Sequence, residues 1–293
     1  MGEEWLEVGR GKILRELALK IYGPEKAFKL WRRIEFIGDI AVIRCPLNMN
    51  PEELKPLAES ILARFSTVKS VWAGLPGVEG PYRLRRHIHL AGEPRSETVY
   101  KEHGCVFKVD INKAYVSPAL NYEHKRIAKQ VKQGEIVVNM FAGVGLFSII
   151  IAKYSKPERV HSIDINPYAF EYMVENIRLN KVENIVVPYL GDAKEVVEKR
   201  LLSTADRVLM PYPELALEYL GTAVRALRQQ TGWIHVYLHV KSLKGKNPLE
   251  EAEQAVAKAA TNIGVGKFVI ENSRIVRNVG PRLVQVVVDL HIP

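Results

Sequence analysis

Apolar and polar positions along the chain follow two periods that divide it into regions. Over residues 11–31, Ile13, Leu14, Leu17, Ala18 and Ile21 recur at three-to-four spacing, which predicts a helix that Gly23-Pro24 breaks. Residues 34–44 read as strand around a turn or bulge at Gly38-Asp39. Asn50, followed by Pro51, Glu52 and Glu53, predicts a capped helix over 51–65. A short apolar run at 68–73 and a loop at 74–81 come next. Over 82–90 the period falls to two: Arg83, Arg85, His87 and His89 share one face, Leu84, Ile88 and Leu90 the other, as in a strand with a basic face. These elements outline a small basic α/β domain over residues 1–96.

From Glu97 the texture changes. Residues 98–100 and 105–111 predict a hairpin around His103-Gly104, and a helix over 122–132 leads into an apolar run at 136–140. Helices near 146–154, 168–180 and 193–201 then alternate with strands at 160–163, 185–189 and 207–210. After Gly221 come a helix, a strand at 233–239, a helix over 248–263 and paired strands at 268–275 and 283–291, close enough to be antiparallel. This alternation predicts a doubly wound, largely parallel sheet over residues 97–293.

Composition narrows the class. The 293 residues are 47% apolar and 26% charged, which excludes wholesale disorder and collagen-like repeats. No apolar run approaches the roughly 20 residues of a bilayer span. Glu3, Glu4 and Glu7 are unlike the basic start of a secretory signal. Cys45 and Cys105 cannot build a disulfide framework and no Cys/His cluster shows zinc spacing, so a cytoplasmic enzyme without a metal is expected. Charge adds a partner. The formal charge is +9, and between Arg10 and Arg33 eight Lys/Arg face two acids. With Arg83, Arg85, Arg86, His87, His89 and Arg95, the positive charge gathers in the first third, as a polyanion footprint would.

The most informative string is Val137-Val138-Asn139-Met140-Phe141-Ala142-Gly143-Val144-Gly145, a buried strand entering two glycines and then a helix. Glycines there let the backbone approach a ligand, and the helix start offers free amides. Asp164 follows the next apolar strand, where a carboxylate can take both ribose hydroxyls of an adenosine. Gly191-Asp192-Ala193 follows the third, where a carboxylate can meet an adenine amino group. Alternatively the two acids cap the following helices. Ser148 stands where a dinucleotide fold would want a third glycine, so the marks resemble class I S-adenosylmethionine-dependent transferases more than NAD enzymes. Pro211-Tyr212-Pro213 ends the fourth strand directly above the crevice.

Several strings together resemble one family over residues 34–293. They are Gly80-Pro81-Tyr82-Arg83, Glu97-Thr98-Val99-Tyr100-Lys101-Glu102-His103-Gly104, Val109-Asp110, Ser117-Pro118, Phe141-Ala142-Gly143-Val144-Gly145, Asp164-Ile165-Asn166-Pro167 and Ala205-Asp206-Arg207-Val208. The chain resembles the archaeal and eukaryotic tRNA guanine-37 N1-methyltransferases, which share a catalytic domain with the wybutosine-pathway aminocarboxypropyltransferases. The resemblance implies a class I, Rossmann-like α/β domain with a mostly parallel seven-stranded sheet and an antiparallel last strand, behind a small N-terminal α/β RNA-binding domain. It implies S-adenosylmethionine as cofactor, the tRNA anticodon stem-loop as partner, a monomer, and no metal or membrane. Arg83 and Glu123 take the places of the catalytic pair. Carboxylate help suits removal of the N1 proton, and a guanidinium suits charge building on O6. Tyr115, Ser117, His124, Phe141, Gly143, Gly145, Asp164, Ile165, Asp192, Ala193, Met210 and Pro211 fall at cofactor positions, and Arg85, Arg86 and Arg95 at RNA-facing ones.

The chain departs from the family pattern at several places, and Ala119 and the Met210-Pro211-Tyr212 loop resemble the second branch. His124 and Ala119 stand where arginines are usual, Pro211 replaces an asparagine, and Asn139 replaces an acid. The expectation is N1-methylation of guanosine 37, with aminocarboxypropyl transfer to a wyosine precursor as the alternative. A noncatalytic tRNA-binding protein on the same fold is third.

Overall fold

A computed structural model describes residues 10–80, 82 and 84–293. The chain divides into two compact units, with the boundary between Pro118 and Ala119. The change of texture at Glu97 thus falls inside the first unit.

In the first unit, α1 (Arg10–Ala27) buries Leu14, Ala18 and Ala27 and is interrupted at Gly23, whose φ of 71° and ψ of 176° are not helical. β1 (Ile34–Ile37) and β2 (Ile40–Arg44) form a hairpin across Gly38-Asp39. Gly38 has φ +57°, and a Cβ there would lie 2.3 Å from Thr98 Oγ1 and 2.4 Å from the Val99 carbonyl oxygen, so only glycine fits. Asn50 caps the next turn in a capping box with Glu53, ahead of α2 (Lys55–Arg64). β3 (Ser70–Gly74) lies parallel to β2, and β4 (His87–Gly92) antiparallel to β3, giving the order β1-β2-β3-β4. α1 and α2 cover this sheet over a core of Leu14, Ile43, Leu57, Ile61 and Val71. The expected basic strand over 82–90 is corrected here. The strand is shorter at its start, His87 standing opposite the last residue of β3, Gly74; before it the Arg86 carbonyl accepts from the Leu75 amide and Leu84 turns back onto Glu79 in an isolated bridge, so Arg85 and Arg86 lie outside the strand. β5 (Glu97–Glu102) and β6 (Cys105–Asp110) make the predicted hairpin, turning through His103 and Gly104 with φ of 47° and 69°, as a two-residue primed turn requires.

The second unit opens with α3 (Asn121–Gln130) and then winds through β7 (Ile136–Asn139), α4 (Leu146–Ser155), β8 (Arg159–Asp164), α5 (Pro167–Leu179), β9 (Val186–Leu190), α6 (Ala193–Val196) and β10 (Arg207–Met210). α7 (Ala216–Ala226), β11 (Gly232–Lys241), α8 (Pro248–Asn262), β12 (Val269–Gly280) and β13 (Leu283–Ile292) complete it. The sheet order is β12-β13-β11-β10-β7-β8-β9. β7 to β11 run parallel, and β13 is antiparallel to both neighbours. The predicted seven-stranded sheet with an antiparallel last strand is therefore observed. Two details differ. α7 starts at Ala216 and contains Gly221, because burial of Leu220, Ala223 and Val224 outweighs glycine's weak helix preference. The expected helix over 193–201 is one α turn followed by a π turn at Val197–Leu201. Strand order reverses between β7 and β10, which places a crevice at the carboxyl ends of the parallel strands.

Among the described residues no helix is long and apolar enough to cross a membrane. No group of three or more His, Cys, Asp or Glu among them could hold a metal ion.

Candidate functional site

The crevice is built on two glycines with left-handed backbone. Gly143 has φ +56° and Gly145, the N-cap of α4, φ +94°. A Cβ on Gly145 would lie 3.1 Å from Ile149 Cδ1 and 3.2 Å from Met173 Cγ, so the loop is pressed onto α4 and α5. Asn176, fully buried on α5, donates to the Val144 carbonyl at 3.1 Å and locks the bend.

The expected acid meets this loop directly. Asp164, at the end of β8, accepts from the Gly143 amide at 2.6 Å and from the Asn166 amide at 2.9 Å. Burial pushes its carboxyl above the ordinary carboxylate range, against the two amides that favour the charged form. The helix cap that follows is Asn166, which accepts from Tyr168, so Asp164 is not the cap. Ile165 beside it is 54% exposed, an apolar side chain held at the mouth of the crevice. Each carboxylate oxygen carries one amide, and each keeps acceptor capacity for a hydroxyl.

Asp192 does cap a helix: Oδ1 accepts from the Lys194 and Glu195 amides, while Oδ2 accepts from the Tyr219 hydroxyl at 2.5 Å. Tyr219 meets the Phe141 ring edge-on at 5.3 Å, and Tyr212 meets Phe141 at the same distance. An aromatic cluster of Phe141, Tyr212 and Tyr219 thus stands beside the Asp192 carboxylate. Ala193 and Met210 are buried, Met210 within the sheet core, so what they offer a ligand is backbone; Pro211 is half-buried above them. Asn139 is fully buried, donating to Ser148 Oγ at 3.1 Å. A glycine loop, an acid joined to it, a second acid and a cluster of aromatic rings suit an adenosine.

Glu123 occupies a different setting. Oε2 accepts from Arg126 Nε at 2.9 Å and from the Tyr237 hydroxyl at 3.1 Å, and Oε1 contacts the Arg274 guanidinium. Arg126 also grips Asp289 through two hydrogen bonds, at 2.6 and 3.1 Å. Asp289 lies 2.6 Å from His235 Nδ1, and His235 Nε2 lies 2.7 Å from Arg207 Nη1. Arg207 can only donate, so Nδ1 carries the proton and His235 is neutral. Burial, joined by Arg207 and Arg126, pulls the His235 pKa below its ordinary value. Burial alone would raise Asp289, but His235 and Arg126 hold it well below the usual carboxylate range. Arg207 closes the chain on Glu135 at 2.8 Å. Three cations (Arg126, Arg207, Arg274) thus balance three anions (Glu123, Glu135, Asp289) under the sheet. His124, also buried, packs edge-on against Phe147 of α4 at 4.4 Å.

In the first unit Tyr115 is 56% exposed and Ser117 buried. Arg83 lies outside the described residues. Arg85 donates to the Leu75 carbonyl, and with Arg86, His87, Asn112 and Glu79 it lines an open cleft of about 470 Å³. Arg95, the third arginine expected to face RNA, is ion-paired with its side chain 35% exposed. It donates to Asp39, to Glu93 at 2.6 Å and to the Glu97 carbonyl at 2.8 Å, which engages four of its five N–H groups. Tyr219, Asp289 and Arg274 carry no signal in the sequence, since their partners lie far along the chain; Arg126 stands three residues after Glu123 on one helix, a spacing the sequence does show.

Asp164→Ala is expected to weaken adenosine-ligand binding by about 1–3 kcal/mol, the scale of lost charged hydrogen bonds. Titration calorimetry with S-adenosylmethionine checks this, and undiminished affinity removes Asp164 from the site.

The TRM5/TYW2 methyltransferase domain matches residues 98–264. The chain is 45% identical over 262 residues to the tRNA 4-demethylwyosine(37)-methyltransferase Taw21 of Saccharolobus solfataricus, covering 89% of this chain and 94% of that one. It is 39% identical to the tRNA (guanine(37)-N(1))-methyltransferase Trm5b of Pyrococcus abyssi, covering 88% and 74%. With a tRNA(Phe) (4-demethylwyosine(37)-C(7)) aminocarboxypropyltransferase of Methanocaldococcus jannaschii it shares 32%, covering 86% and 95%. Among solved structures, the complex of aTrm5 with tRNALeu superposes with a TM-score of 0.81 at 31% identity, covering 96% and 78%. TYW2 of M. jannaschii in complex with AdoMet gives 0.64 at 29%, covering 89% and 100%.

Proposed function

The chain belongs to the TRM5/TYW2 methyltransferase family, and from that premise we propose that it transfers a methyl group from S-adenosylmethionine to the base at position 37 of tRNA, with 4-demethylwyosine as the acceptor. The observation that carries this reading is the Gly143–Asp164 crevice, on a chain that follows a 4-demethylwyosine methyltransferase along nearly its whole length at 45% identity. Identity falls to 39% for the guanine methyltransferase and 32% for the aminocarboxypropyltransferase.

S-adenosylmethionine supplies a sulfonium methyl group open to nucleophilic attack. Asp164 is suited to hold the ribose hydroxyls, its oxygens preset by the Gly143 and Asn166 amides. Asp192 and the cluster of Phe141, Tyr212 and Tyr219 suit the adenine, and Ile165 offers it an apolar surface. Glu123 is the candidate acceptor for the proton the base gives up, and Arg83 the candidate partner for charge on the base.

A second reading, N1-methylation of guanosine 37, is supported by Glu123, the residue to which the family resemblance gives the role of removing the N1 proton. Labelled cofactor separates the readings. With tRNA carrying 4-demethylwyosine at position 37, label from the methyl group is expected in the RNA. Methyl label in a guanosine-37 transcript alone replaces the acceptor. Label from the carboxyl carbon replaces the transferred group, and no label in either tRNA overturns the enzymatic reading.

A further inference from the structure

Residues that follow α1 turn two aromatic rings outward. The chain continues the helical path past Ala27, with the Phe28 amide bonded to the Pro24 carbonyl at 3.0 Å and the Leu30 amide to the Ala27 carbonyl at 3.3 Å. Ala27 and Leu30 face the core, at 0% and 5% exposure. Phe28 and Trp31, one turn apart on the opposite side, are 64% and 40% exposed. Large apolar rings left in water in this way mark a binding surface more often than a fold requirement.

The charges around the rings say what such a surface would bind. The Arg15 guanidinium sits 4.7 Å from the centre of the Phe28 ring and that of Arg44 4.9 Å from the Trp31 ring. Lys29, Arg32 and Arg33 are exposed between and beside them. Arg15 Nη1 is buried without a hydrogen-bond partner. The acids at hand are Glu25, 3.5 Å from Lys29, and Glu35, 3.5 Å from Arg44, which leaves five cations against two anions. Exposed rings interleaved with a surplus of cations match RNA, whose unpaired bases stack on aromatic faces while its phosphates meet Lys and Arg. A protein partner would want the apolar area without the surplus of positive charge.

We propose that Phe28 and Trp31, with Lys29, Arg32 and Arg33, form a tRNA-binding surface of the first unit, on which unpaired nucleobases stack. The surface rests on the tRNA substrate argued above, and it acts on affinity, with no part in the transfer step.

The test compares wild type with Phe28→Ala, Trp31→Ala, Trp31→Phe and Arg32→Ala/Arg33→Ala by filter binding to tRNA across a salt series, without cofactor. Removing either ring is expected to raise Kd about tenfold while leaving the salt slope unchanged, because stacking releases no counterions. Trp31→Phe is expected to restore most of the affinity. The double arginine variant is expected to flatten the slope by about one for each phosphate it no longer neutralises. Turnover should show KM for tRNA raised and kcat intact. Circular dichroism of each variant confirms that it is folded. Unchanged Kd in both folded alanine variants overturns the proposal, as does ring-dependent self-association by sedimentation without any effect on tRNA. The binding arm requires no chemistry: wild type that fails to bind tRNA at all sinks the functional reading, whereas binding that ignores the rings sinks only this surface.

Discussion

Replacing Arg126 with alanine is expected to destabilise the second unit by about 3–5 kcal/mol, the scale of removing one partner from a buried ion pair. Arg126 is 11% exposed and touches two carboxylates that are 1% and 2% exposed, Glu123 and Asp289. Without it the cluster holds three anions against two cations, and neither acid can reach water to recover solvation. Arg126→Lys should recover part of the loss, since an ammonium keeps the charge but cannot grip Asp289 with two nitrogens. Urea denaturation of the three proteins measures the difference. A loss below about 1 kcal/mol for the alanine variant would mean the cluster is open to water, the regime of exposed pairs.

Glu123→Gln is expected to slow methyl transfer by about a hundredfold or more, the contribution of a well-placed general base, with affinity for S-adenosylmethionine unchanged. The structure gives this experiment two sides. Glu123 is bound on one oxygen by Arg126 and Tyr237 and on the other by Arg274. Arg274, on β12 with its side chain 31% exposed and its guanidinium 4.5 Å from the Tyr122 ring, is the partner nearest to solvent and the one an entering base would displace. Glutamine keeps the shape and can still accept from Arg126, but it cannot take up a proton to become neutral. Single-turnover rates at saturating cofactor and tRNA, measured beside thermal stability, separate the roles. A slow but stable variant marks the base, and a fast but unstable one marks a structural ion pair and removes Glu123 from the chemistry.

The sites that are legible in the sequence share one property: their partners are near in the chain or fall at fixed places in a strand–loop–helix repeat. Gly143, Gly145 and Asp164 stand at successive strand ends, and the fold brings the Gly143 amide onto Asp164. The capping box at Asn50 and the hairpin at His103-Gly104 are equally plain, because each is decided within a few residues. The basic strand expected over 82–90 forms only from His87 onward, for the opposite reason. Its period-two pattern is present, but a strand also needs a neighbour, and β3 stops opposite His87. Arg95 looks in the sequence like one more cation in a basic run, although Asp39, far back in the chain, takes it up.

By itself the sequence determined the order of helices and strands, the turn chemistry, the glycine loop and its acid, and a surplus of positive charge in the first third. Tertiary structure alone decided which distant polar groups are shared in the interior: Tyr219 with Asp192, Arg126 with Asp289, Arg207 between Glu135 and His235. It also decided that Phe28 and Trp31 stay in water. The reason is physical. Local pattern sets backbone geometry over a few residues, whereas a buried charge takes whichever partner packing brings within reach, because leaving it unpaired away from water costs more than any local preference can offset.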